Sequence, residues 1–270
     1  MATLTQITPI TFDKHVDLLA RIGYAARAAV YALMGTFALL LSLGFKKGEL
    51  TDSKGSLRQL IEQPFGKIFL AVLGFGLIAY AVWRLLQAVL DYEQKGTSAK
   101  GLLLRSGYLF GGIVHALLGY SAINLIFHLS RESNGSRDKD VAFWLLTQPF
   151  GQFLAGAVAL GIFAFGIGQI MIAVKEKFMK HLHLPADKKM WLSRICKFGL
   201  ICRGIVFCIV GWLFLRAAFY ANSSEAKGVK GAWQFIADQP FGEALVGVTA
   251  LGLIAFAAYG LTEALYRRTT

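Results

Sequence analysis

Six long apolar runs alternate with polar segments along the chain. They cover residues 22–45, 65–90, 107–127, 150–174, 198–219 and 241–265. About 20 apolar residues are enough for a helix to cross a bilayer. Leu, Ala, Phe and Gly dominate the runs, and the ten-residue alternation of a transmembrane β-barrel is absent. The pattern therefore predicts an all-α polytopic membrane protein with six transmembrane helices.

Two short phrases each occur three times. A glycine phrase, Arg/Lys-x-Gly-Tyr/Leu, opens each odd-numbered run, and Gln-Pro-Phe-Gly precedes each even-numbered one. The phrase glycines are 84 and 92 residues apart, so each unit holds two spans and successive units cross the membrane in the same direction. We predict three parallel two-helix repeats with pseudo-threefold symmetry, arranged as a bundle or ring. The predicted units are a cytoplasmic segment 1–20, repeats 21–95, 105–178 and 197–268, and a basic cytoplasmic linker 179–196.

The Gln-Pro-Phe-Gly motif has a structural and a functional interpretation. Proline suits the first turn of a helix, glutamine can hold the preceding loop, and phenylalanine suits a membrane interface. Alternatively, the three motifs converge around an axis and line a vestibule. Apolar residues before each copy predict a short interfacial helix. The copies are Gln63, Pro64, Phe65 and Gly66; Gln148, Pro149, Phe150 and Gly151; and Gln239, Pro240, Phe241 and Gly242.

Composition and charge agree with a membrane location. Hydrophobic residues make up 56% of the chain, charged residues 16%, and the mean hydropathy is +0.54. The face carrying the termini holds 17 basic and 7 acidic residues, and the opposite face 11 and 9, which predicts cytoplasmic termini. The polar segment 1–20 lacks the apolar stretch of a cleavable signal. A pI near 9.7 is explained by this topology and by anionic headgroups on the cytoplasmic side, so no nucleic-acid partner is expected.

A local function is expected where the three repeats differ. Such positions are Arg27, Gly111 and Arg203; Tyr31, His115 and Phe207; Arg84, Gln169 and Gly260; and Gln87, Ile172 and Glu263. Charged groups inside spans are costly and usually face a partner or the bundle interior. The arginines can snorkel to headgroups, form an inward basic cluster for an anionic headgroup or small anion, or pair with Glu263. The binding candidates are Arg27, Arg84, His115, Arg203, Glu263 and Tyr31.

His115 is the sharpest single candidate, about 12 Å into its span. It either hydrogen-bonds to a neighbour such as Tyr31 or a backbone carbonyl, or acts as a proton relay or ligand. No second histidine is equally deep for a haem, and cysteines six residues apart point in three directions. No metal, cofactor or catalytic residue is therefore expected. Motifs of familiar enzymes are absent, so enzymatic activity is not indicated.

Together the two recurring phrases resemble a bacterial membrane protein family of unknown function built from three tandem two-helix repeats. The resemblance covers residues 21 to about 267, and the third copy departs from it with Lys197 for Arg and Leu200 for Tyr. It implies a six-helix, multi-pass protein of the bacterial inner membrane and no established activity.

Two functions of different classes remain open. In the first, the bundle binds or conducts a small ion, anion or lipid near its axis, with Arg27, Arg203 and His115 facing inward. In the second, the protein is a structural or accessory membrane subunit. Its core is packed shut, and its outer loops and basic linker contact lipids or other membrane proteins.

Overall fold

A computed structural model describes residues 9–45, 50–127 and 137–267. This part of the chain forms nine α-helices and two short 3-10 turns, Lys177–His181 and Ser223–Glu225. The helices are α1 (Pro9–Ser42), α2 (Ser53–Ile61), α3 (Gly66–Val89), α4 (Ala99–Phe127), α5 (Arg137–Leu146), α6 (Gly151–Val174), α7 (Lys189–Phe219), α8 (Val229–Ala237) and α9 (Gly242–Tyr266).

Six of these helices are long and apolar enough to cross a membrane: α1, α3, α4, α6, α7 and α9. The prediction of an all-α protein with six spans is confirmed. The odd-numbered spans start earlier than their apolar runs, at Pro9, Ala99 and Lys189. Polar residues continue these helices beyond the apolar segment, and hydropathy alone does not mark such a start.

The three short helices precede the three Gln-Pro-Phe-Gly copies, where the sequence predicts them. Leu57 of α2 and Trp233 of α8 are buried against the long helices. In α5, by contrast, Phe143 and Trp144 are exposed. Each short helix contacts long helices, and the next even-numbered span begins after four intervening residues.

Each Gln-Pro-Phe-Gly copy forms a tight corner between two helices. The even spans begin at the motif glycine, so the prolines lie two residues before the helix and not in its first turn as expected. The preceding Phe65, Phe150 and Phe241 have φ values of 61°, 58° and 61°. A Cβ on Gly66 would lie 2.2 Å from the Leu60 carbonyl oxygen. The corner therefore requires glycine at this position, because the previous helix ends against its backbone.

The long helices pack in the spatial order α4, α3, α1, α9, α7, α6. Contacts between repeats, α1 with α9, α3 with α4 and α6 with α7, are the most extensive. All three contacts involve a glycine at the equivalent position of α1, α4 or α7. A Cβ on Gly35, Gly119 or Gly211 would come within 3.0 Å of the neighbouring helix. Small residues allow such close approach between helices in a bilayer.

Contacts within a repeat differ between the three copies. A Cβ on Gly23 would lie 2.6 Å from the Tyr80 backbone of α3, and one on Gly199 would lie 2.3 Å from the Phe256 backbone of α9. The equivalent Gly107 of α4 has no such neighbour within 4 Å. Over the described ranges, α4 and α6 do not pack along one another. The expected ring is thus open at one place, which we name the α4/α6 gap.

One cause of this opening is a large side chain at a helix contact. Gly76 of α3 packs against Ala26 of α1, and Gly252 of α9 packs against Cys202 of α7. The second repeat has Phe110 at the position of Ala26 and Cys202. A phenyl side chain does not fit in a contact made by glycine and a small residue, so α4 stands away from α6. The Phe110 side chain is exposed.

A second cause is a missing aromatic side chain. Trp83 is fully buried between α1 and α3, where its Nε1–H donates to the Tyr24 hydroxyl at 3.0 Å. The third repeat has Tyr259 at this register and the second has Gly168. A Cβ on Gly168 would meet nothing within 4 Å. The second hairpin therefore lacks the side chain that fills the same space in the other two.

Candidate functional site

The interior is organised around three arginines, one at each contact between repeats. Arg27 of α1 reaches α9, Arg84 of α3 reaches α4, and Arg203 of α7 reaches α6. Arg27 and Arg203 are 6% and 9% exposed, and Arg84 is half-buried. The snorkelling interpretation is therefore wrong for Arg27 and Arg203, whose guanidinium groups lie inside the bundle.

Arg27 is neutralised by a carboxylate. Its Nη2 donates to Glu263 Oε2 at 2.5 Å, and its Nη1 donates to the Tyr80 hydroxyl at 2.7 Å. Glu263 also pairs with Arg267, one turn further along the chain. The sequence interpretation in which Glu263 pairs with one of the arginines agrees with this geometry. Arg27 thus belongs to a closed network that joins α1, α3 and α9.

Glu93, in the loop after α3, holds the outer part of the same network. It accepts from Arg267 Nη2 at 2.6 Å, from Gln87 Nε2 at 2.5 Å and from the Tyr108 hydroxyl at 2.9 Å. Burial by itself would raise the pKa of this carboxyl. Arg267, the Tyr108 hydrogen bond, Lys95 and Arg84 outweigh that effect and lower the pKa of Glu93 to about 2. Sequence reasoning missed Glu93 and Arg267 because both lie outside the apolar runs.

Among the described residues, the hydrogen-bond partners of Arg203 are neutral. Its Nε donates to the Tyr31 hydroxyl and its Nη1 to Gln169 Oε1, both at 3.0 Å. Arg84 is similar, with Nε donating to Tyr80 at 2.8 Å and Nη1 donating to Gln87 at 2.9 Å. Among the ion pairs of the described residues, none includes Arg203 or Arg84.

Aromatic pairs recur beside the arginines at equivalent positions of the repeats. In each pair, an aromatic side chain of α1, α4 or α7 contacts one of α3, α6 or α9. The second side chain lies 14 residues after the glycine of a Gln-Pro-Phe-Gly motif. The pairs are Tyr31 with Phe256, His115 with Tyr80 and Phe207 with Phe165, with centroid distances of 4.7, 4.6 and 5.1 Å. The sequence analysis did not predict a role for the aromatic residues of α3, α6 and α9, although all three repeats have one at the same position.

These rings and the arginines form one alternating row. Tyr80 lies 5.1 Å from Arg27 and 5.0 Å from Arg84. Phe256 lies 5.3 Å from Arg27 and 4.6 Å from Arg203. At such distances a guanidinium is attracted to the ring face. The arginine–aromatic row thus consists of Arg84, Tyr80, Arg27, Phe256, Arg203 and Phe165.

His115 faces the row without joining it by a hydrogen bond. Its Nδ1 lies 2.8 Å from the Gly111 carbonyl oxygen of its own helix. The expected contact with a backbone carbonyl is therefore present, but Tyr31 is not its partner. Because a carbonyl only accepts, Nδ1 carries the proton in this arrangement.

The Gln-Pro-Phe-Gly motifs lie far from the arginine–aromatic row. Arg84 follows Gly66 by 18 residues in one continuous helix, which separates them by about 27 Å along its axis. The motif corners and the row therefore occupy opposite ends of the bundle. The motifs serve as helix corners in this arrangement and do not share a site with the candidate residues.

Fold and sequence together define a multi-pass membrane protein made of three tandem two-helix units. The chain matches the Domain of Unknown Function (DUF1206) three times, over residues 22–91, 106–176 and 198–267. It is also 32% identical over 256 residues to the Uncharacterized protein YxxB of Bacillus subtilis (strain 168), which covers 93% of this chain and 90% of the relative. The protein belongs to the DUF1206 family, as the resemblance implied. No solved structure matches the chain.

Proposed function

We propose that this protein binds an anionic group inside the membrane, beside Arg203. The observation that carries the proposal is the balance of charge in the interior. Four guanidinium groups, those of Arg27, Arg84, Arg203 and Arg267, share two carboxylates, Glu93 and Glu263. In a low-dielectric interior, an excess of two positive charges strongly favours a bound anion.

The two carboxylates lie on one side of the row. Glu263 contacts Arg27 and Arg267, and Glu93 contacts Arg267. Arg203, at the other side, donates hydrogen bonds to Tyr31 and Gln169. Four aromatic rings, that of Tyr31 among them, lie within 5.4 Å of its guanidinium. These neutral contacts lower the cost of burying its charge but do not cancel it. Arg203 is therefore the main anion-binding residue of the proposal, and Arg27 is structural.

We also propose that the bundle has a pseudo-threefold axis and lies in the bacterial inner membrane with cytoplasmic termini. The arginines would then be near the cytoplasmic face, where anionic lipid headgroups are abundant. The basic residues between α6 and α7 support this orientation, since positive loops stay cytoplasmic during insertion.

Native mass spectrometry of protein extracted in mild detergent tests the proposal. We expect an anionic mass bound to the wild type and absent from Arg203→Gln, which removes the charge but can still hydrogen-bond. Arg216→Gln is the matched control, because Arg216 is on the same helix but pairs with Glu225 at the surface. Retention of the anion by Arg203→Gln, or a wild type that binds none, would overturn the proposal. Foreign subunits in place of an anion would instead support the accessory function.

A further inference from the structure

The α4/α6 gap gives the proposed anion site a route to the surrounding bilayer. Its two walls are glycine-rich, and a Cβ on Gly107, Gly111, Gly161 or Gly168 would meet nothing within 4 Å. Gly23 and Gly199, which are equivalent to Gly107, contact the partner span of their own repeat. Gly107 and Gly161 therefore lie where α4 and α6 would touch if this hairpin were closed like the other two.

The two arginines without a carboxylate each contact one wall of the gap. On the α4 side, Arg84 lies 5.1 Å from the Tyr108 ring. On the α6 side, Arg203 donates to Gln169 and lies 5.2 Å from the Phe165 ring, which is 43% exposed. Glu93 lies on the α4 side, where it accepts from Tyr108 at 2.9 Å. The α6 side carries Arg203, which has no carboxylate partner among the described residues.

The gap is polar at one end and apolar along the rest of its length, like an amphiphile. Arg84 and Gln169 lie five residues before the ends of α3 and α6, or about 8 Å along the helix axis. From there to the opposite membrane face, α6 contains no charged residue and α4 contains none after Arg105 within its helix. The opening is therefore basic near one membrane face and apolar over the rest of its depth.

We propose that the α4/α6 gap holds an anionic phospholipid, with its phosphate beside Arg203 on the α6 side and an acyl chain between the two helices. This inference rests on the proposed function and adds the class of ligand and the place of its chain. Charge complementarity selects an anionic headgroup, and the open apolar cleft accepts an acyl chain. A free inorganic anion would use Arg203 alone and would not need the cleft.

The test separates the two parts of the site by titrating delipidated protein with phosphatidylglycerol, phosphatidylcholine or inorganic phosphate, read by native mass spectrometry. Gly161→Trp and Gly107→Trp place a ring in the gap, where the structure leaves room for it. We expect each to weaken phosphatidylglycerol binding about tenfold or more and to leave phosphate binding unchanged. Val72→Trp is the matched control on the exposed face of α3 and should bind like the wild type.

The outcomes are distinguishable. Arg203→Gln should lose both phosphatidylglycerol and phosphate, and equal binding by this variant would overturn the anion site itself. Unchanged phosphatidylglycerol binding by the two tryptophan variants would overturn only the place of the acyl chain. Equal affinity for phosphatidylcholine would overturn the headgroup assignment. A wild type that is dimeric, with monomeric Gly161→Trp, would show that the gap holds a second copy and would also overturn the inference.

Discussion

The first and third repeats close their two spans against each other, whereas the second holds its spans apart. The closed hairpins use Gly23 with Tyr80 and Gly199 with Phe256, and the open one leaves Gly107 without a partner within 4 Å. Contacts between repeats are preserved on all sides. The contacts between repeats therefore hold the bundle together, and the bundle persists without the contact within the second repeat.

Replacing the arginine of the closed side should destabilise the protein far more than replacing that of the open side. Arg27→Gln leaves Glu263 buried with Arg267 alone, and breaking a buried pair in this way costs about 3–5 kcal/mol of unfolding free energy. Arg203→Gln removes no ion pair and should cost less, about 1 kcal/mol for a hydrogen bond that glutamine does not replace. Thermal unfolding in detergent measures both. Equal losses would contradict the division of the interior into a structural and a binding side.

The same substitution at two equivalent glycines should have opposite outcomes. Gly23→Leu forces a side chain into the Tyr80 backbone and should destabilise the protein by about 3 kcal/mol. Gly107→Leu enters open space and should be nearly neutral. Denaturant unfolding of the two variants in one detergent gives the comparison directly. A large loss from Gly107→Leu would mean that α4 and α6 pack together in the membrane.

The Glu93 network predicts a loss of stability in acid. Because folding lowers the pKa of Glu93 from about 4.5 to about 2, its contribution is complete above pH 4.5 and declines as the pH falls toward 2. Its loss amounts to about 3 kcal/mol. Glu93→Gln should be less stable at neutral pH and should show a flatter stability profile between pH 5 and 3. If the stability of the wild type and of Glu93→Gln falls equally with pH, Glu93 does not cause the loss of stability in acid.

Two substitutions that close the open hairpin should change the stability only slightly. Phe110→Ala with Gly168→Trp gives the second repeat the small residue and the large ring that the first has at Ala26 and Trp83. The double variant should gain about 1 kcal/mol of stability by filling the gap, and spin labels on α4 and α6 should move closer together. An unchanged distance would show that other residues hold the helices apart.

Much of the architecture could be predicted because the three repeats share recognisable sequence motifs. The spans follow from hydropathy, and the arginine positions follow from counting along the repeats. The partners of the arginines could not be predicted, since Glu263 and Arg27 are 236 residues apart and their contact depends on how the first and third repeats pack.

The α4/α6 gap was missed for a different reason. Its signals, Phe110 and Gly168, are ordinary residues for a membrane helix, and each is informative only beside its equivalents in the other repeats. Neither residue changes the charge or polarity of its helix. In a bilayer, where small residues decide how closely helices approach, changes of size matter as much as changes of charge.

The single opening also explains a benefit of joining three copies in one polypeptide. An assembly of three identical two-helix subunits would carry each substitution three times, so a residue like Phe110 would open every hairpin at once. Gene duplication and fusion remove that constraint. One copy can then diverge toward a ligand while its two sister copies preserve the scaffold.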